Sequence, residues 1–218
     1  MERKSLFYVV GGVLLILSAA LSLFQEALEF SSIMYYYDEG ALPRMLFKSG
    51  AFRDYVQRMD IMSLIRFGMV LLTGLILIAK AFVKDIVPDI AIVVLFALMA
   101  VYWSIPFLQN FWLFWGEGNF WVKSVFVCTS LLMVVAYGGM AAIILLKDSF
   151  GGFFFVPALA VAGKAFLNFV LYASASTIVK AMKMKILYMP FGMCLLVFVF
   201  DMVLVGALFA IGMAVKEN

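Results

Sequence analysis

Residues 187–215 read LYMPFGMCLLVFVFDMVLVGALFAIGMAV, a run in which Asp201 is the single charged side chain. About 20 apolar residues at 1.5 Å per residue cross a hydrocarbon layer of roughly 30 Å, so a helix over this stretch is long enough to span a bilayer. A barrel strand would be about half as long and would alternate in polarity, which this run does not. A backbone in lipid must satisfy its own hydrogen bonds, and a helix does so within one segment.

The same reading repeats upstream. Comparable apolar runs cover residues 6–24, 61–83, 86–108, 122–146 and 152–175. Six spans make the expected fold an all-α integral membrane protein, a bundle of six transmembrane helices forming one domain over residues 1–218. Composition agrees. The chain is 67% hydrophobic and only 13% charged, with a mean hydropathy of +1.12, more apolar area than one soluble core of this size can hide. The lipid bilayer is therefore the first expected partner, and a multi-pass cell-membrane protein the expected localisation. The opening MERKSLFYVVGGVLLILSAALSLF resembles a secretory signal, but its apolar run exceeds the roughly 7–15 residues of a signal core and reads as a retained first span.

Several chemistries lack their residues. The sequence has no histidine, which removes the commonest general base and metal ligand. It has no GxxxxGK[ST] loop, no GxGxxG and no CxxC, so phosphate-loop, dinucleotide and thiolate-metal chemistry have no signature. No cofactor and no metal is expected, and an enzyme is not the favoured reading. A net charge of +3, scattered along the chain, gives no footprint for nucleic acid. Cys128 and Cys194 both fall inside spans and read as small core residues.

With an even number of spans, both termini belong on one face, here called side A; the opposite face is side B. The contrast of Arg3 and Lys4 with Glu26 and Glu29 across the first span favours cytoplasmic termini, although the summed lysine and arginine count points the other way. On side A, Asp85 and Asp89 flank Pro88 where an acid and a proline suit the start of a helix. Side B carries the long connection 25–60, in which Phe52, Tyr55, Val56 and Met59 share one helical face, the pattern of a short amphipathic interfacial helix between spans 1 and 2. All four tryptophans, Trp103, Trp112, Trp115 and Trp121, lie near this side, and FLQNFWLFWGEGNFW (107–121) reads as an interfacial loop. Arg66, five residues past Ile61, reads as an anchor whose long stem reaches the headgroups.

Lys164 and Asp201 cannot escape so easily. Lys164 lies 12 residues past Gly152, about 18 Å at the helical rise, and Asp201 lies 14 residues before Val215, about 21 Å. The fifth and sixth spans run antiparallel, so the two charges meet near mid-depth. An unpaired charge there costs about 2.5–3.5 kcal/mol on insertion scales, which makes a Lys164–Asp201 pair the expected arrangement. Asn168, four residues after Lys164, shares its helix face and offers the pair a further donor and acceptor. Ala160, Ala162 and Gly163 on the fifth span, with Gly206 and Ala210 on the sixth, are small enough for close helix approach.

Lys164, Asn168 and Asp201 are thus the candidate substrate-binding cluster of a small-solute transport or solute-binding membrane component. In chain length and span count the protein is similar to the substrate-capturing subunits of energy-coupling-factor transporters. The alternative is a structural or regulatory membrane subunit, with a membrane-protein partner, in which the pair only fixes helix packing. A third reading is a lipid-modifying enzyme at side B using Arg53, Arg58, Glu117 and Lys123. Access discriminates the first two readings, since a solute site needs a polar cavity and an architectural bridge is sealed by apolar packing.

Overall fold

The computed structural model describes residues 3–35, 61–83, 88–114, 120–182 and 191–217, and among them every element is helical. The long helices are α1 (Arg3–Tyr35), α2 (Ile61–Phe82), α3 (Asp89–Phe114), α4 (Phe120–Leu145), α5 (Val156–Met182) and α6 (Phe191–Lys216). Each is long and apolar enough to cross a membrane. A single helical turn, Lys147–Phe150, and a 3-10 turn, Gly151–Phe153, join α4 to α5.

The helices form a ring in chain order. Neighbours in sequence pack on one another, and α6 returns to pack on α1; the least contact lies between α2 and α3. Exposed on the outside are large apolar side chains such as Leu6, Val13, Leu72, Leu98, Leu159 and Val199. A surface of this kind suits a hydrocarbon solvent.

Small residues set the close approach of α1 to α2. A Cβ on Gly12 of α1 would stand 2.6 Å from the carbonyl oxygen of Gly74 on α2, and one on Gly74 would stand 2.8 Å from that of Gly12. The two backbones touch where neither side chain exists, which is how helices gain dispersion contact without a hydrophobic drive. The glycines near the candidate site work differently from expectation. A Cβ on Gly163 would face Leu132 of α4, and one on Gly206 would face Leu14 of α1, so they ease the α4–α5 and α1–α6 contacts and not the contact of α5 with α6.

Two boundaries moved. The side-B loop expected over 107–121 is largely helix, because α3 continues through Pro106 to Phe114 and α4 begins at Phe120. Asn110, inside the expected loop, donates to Ser130 on α4 at 3.0 Å, a partner that lets the polar residue stay helical. At side A, α3 starts at Asp89, directly after Pro88, and Asp89 also pairs with Lys80 of α2 at 2.7 Å. The amphipathic segment 52–59, Asp85 and Trp115 lie outside the described residues, as do Arg53, Arg58 and Glu117.

Candidate functional site

Lys164 and Asp201 meet. The ammonium Nζ donates to both carboxylate oxygens, at 2.6 Å to Oδ1 and 2.8 Å to Oδ2. Helix α5 presents Lys164 inward because its neighbours on that side of the helix, Ala160, Val161 and Ala165, are buried. On α6, Val197, Leu204 and Leu208 bury the same stripe that carries Asp201. The pair is nearly enclosed, with side-chain exposures of 14% and 9%.

It does not sit in apolar packing. A partly open cavity of about 340 Å³ lies on the ring axis, and all six helices line it. Lys164, Asn168 and Tyr172 come from α5 at successive turns, Asp201 and Leu204 from α6, and Ser18 and Ser22 from α1. Almost all of the lining lies at mid-helix or toward side B, with Tyr137 of α4 at its inner end. The volume falls within the roughly 300–1,000 Å³ of small-molecule sites.

Three of the hydroxyls around the cavity are spent on their own helices. Ser22 donates to the Ala19 carbonyl at 2.8 Å, Thr129 to Phe126 at 3.1 Å and Ser130 to Phe126 at 2.8 Å. Such back-bonding removes the donor at little cost to the helix. Asn168 differs. Its amide lines the cavity, and among the described residues it bonds neither to the pair nor to another side chain. The expected Lys–Asp–Asn triad is therefore a pair with a neighbouring amide turned to the same space.

Arg66 and Trp103 meet beside the cavity. Both line the cavity, with the Arg66 Cζ 6.0 Å from the centroid of the Trp103 ring, within cation–π range. Arg66 thus borders the cavity at the α2–α3 seam, close to the side-B end of α2. Trp112 and Trp121 do face outward, with 82% and 51% of their surface exposed. The signal that could have found the interior set is spacing. Ser18 and Ser22, Arg66 and Val70, and Lys164, Asn168 and Tyr172 recur every four residues along their helices, on one face each.

Compared with protein-family models, curated proteins and solved structures, the chain matches none. Among the described residues no cluster of histidine, cysteine, aspartate or glutamate could hold a metal ion.

Proposed function

We propose that the protein is a multi-pass membrane component that binds or passes a small solute, with Lys164, Asp201 and Asn168 at the inner part of its site. The observation that carries this reading is that the buried ion pair borders a cavity lined by all six helices. Ionisable groups inside a span that face a cavity mark solute and ion routes more often than packing alone requires. Arg66 and Trp103 extend the site toward side B, adding a planar donor array and an aromatic wall.

The site supports binding more readily than covalent chemistry. Its polar groups are a lysine already held by a carboxylate, an amide, an arginine and hydroxyls, a set that recognises charge and hydrogen-bonding pattern. The test is access. In a background with Cys128 and Cys194 replaced by alanine, Asn168→Cys in vesicles should react with a charged, membrane-impermeant thiosulfonate added from side B. No reaction, with a control cysteine in the side-B connection between α1 and α2 labelled fully, would leave the architectural reading in place.

A further inference from the structure

We propose that the side-B half of the seam between α2 and α3 is a lateral portal, through which an anionic amphiphile dissolved in that leaflet places its acyl chain in the central cavity. The inference rests on the cavity being a ligand site and names the class of ligand.

Among the described residues this seam has the least contact of the six between neighbouring helices. Residues 61–69 of α2 and 100–112 of α3 include no buried side chain, and burial begins only at Val70 and Met99, toward side A. The side-B half of α4, by contrast, buries Val125, Thr129, Ser130 and Met133. At the side-A end the same two helices are closed, by the Lys80–Asp89 ion pair and by buried Leu77, Ala81, Ile92 and Val93. Near side B, the Arg66–Trp103 contact stands across the seam, and both residues also line the cavity. They are at once the wall of the site and the boundary with the outside.

What lies outside that boundary is apolar. Met62 and Ile65 on α2, with Ile105 and Leu108 on α3, are exposed large hydrophobics at the same end of the seam. A water-soluble ligand would gain nothing from such flanks, whereas an acyl chain is at home among them. Arg66 lies five residues from the start of α2, about 7.5 Å at the helical rise, a depth from which a guanidinium reaches a phosphate in the headgroup layer. A guanidinium binds a phosphate by a two-pronged hydrogen bond that it cannot make to a neutral head. The wall is mixed, with Phe126 nearer side B and Met133 and Leu204 deeper offering chain contacts on either side of the polar pair.

The experiment uses the full chain in vesicles containing a trace of phosphatidylglycerol or phosphatidylcholine with a diazirine in the acyl chain, irradiated and mapped by mass spectrometry. Adducts on the cavity residues Met133 and Asn168 are expected, with phosphatidylglycerol labelling them at least threefold more than phosphatidylcholine and Arg66→Gln removing that difference. Labelling of outward residues such as Leu72 and Val94 should not change in the variant, which shows that it is folded. Adducts confined to outward residues would overturn the portal. Equal cavity labelling by the two lipids would overturn the anionic preference. If thiol labelling of Asn168→Cys succeeds while cavity adducts are missing, the site stands and only the portal falls; if both fail, the site falls with it.

Discussion

The two halves of this bundle are made by the same six helices and solved differently. Toward side A, Tyr8, Leu77, Phe96, Met140, Ala158, Ile211 and Ala214 are all buried, Phe96 and Tyr137 stack with centroids 6.3 Å apart, and the backbones of α1 and α2 touch at Gly12 and Gly74. Toward side B the helices surround polar space, and residues 61–69 of α2 and 100–112 of α3 include no buried side chain. The difference teaches where specificity of packing resides. Where apolar outsides make burial and exposure nearly equal in energy, contact at van der Waals distance must hold the helices, and the side-A half supplies it. The side-B half is thereby released to carry polar groups whose partners are few.

The sharpest way to break that comparison is to wedge the closed half open. Gly74→Leu forces a side chain into the Gly12 carbonyl, a backbone atom that no rotamer change can move aside. Overpacking a close-packed core costs about 1–3 kcal/mol and occasionally more, and a backbone clash belongs at the upper end. We expect a loss of more than about 3 kcal/mol, seen as a collapse of folded yield and of the thermal transition in detergent. Gly68→Leu, at a position in the open half with nothing within 4 Å of its Cβ, should leave both unchanged. Equal effects would mean that the two halves are not packed differently.

Next in size is the ion pair. Asp201→Ala leaves Lys164 without its carboxylate beside a partly open cavity, where water or proton loss relieves part of the penalty. The cost should therefore fall below the about 3–5 kcal/mol of a pair broken in a sealed interior, near 2 kcal/mol. The double change Lys164→Met with Asp201→Leu should recover most of it. A double-mutant cycle in lipid with coupling under about 0.5 kcal/mol would remove the pair from any account of stability. If the double variant folds but no longer shows cavity adducts, the pair belongs to the site as well as to the scaffold.

The spans were legible because length and hydropathy are properties of a segment alone, and α2 and α4 lie within two residues of their expected ends. The meeting of Lys164 and Asp201 was legible because depth in an antiparallel helix pair follows from counting. Facing direction was not. Whether Arg66 borders a cavity depends on how α2 is rotated against α1, where the two backbones meet at Gly12 and Gly74, and that contact involves a different helix. The end of α3 was misplaced for a similar reason, since the partner that keeps Asn110 in a helix is Ser130, 20 residues further along the chain.

The smallest expected effect separates two asparagines that the sequence alone cannot tell apart. Asn110 has its amide committed to the Ser130 hydroxyl at 3.0 Å, while Asn168, beside the ion pair, faces the cavity without a described partner. A hydrogen bond between membrane helices contributes about 0.6 kcal/mol on average and up to about 1.7 kcal/mol, so Asn110→Leu should destabilise by an amount in that range. Asn168→Leu removes no bond and replaces a polar group with an apolar one, so its stability should change by less than about 0.5 kcal/mol in either direction. Thermal unfolding of the two variants in the same lipid decides the matter. A loss at Asn168 as large as that at Asn110 would place it in the scaffold with the pair; a silent Asn168→Leu that nonetheless abolishes adducts at Met133 would place its amide among the groups that hold the ligand, the function for which the open half of the bundle leaves it unspent.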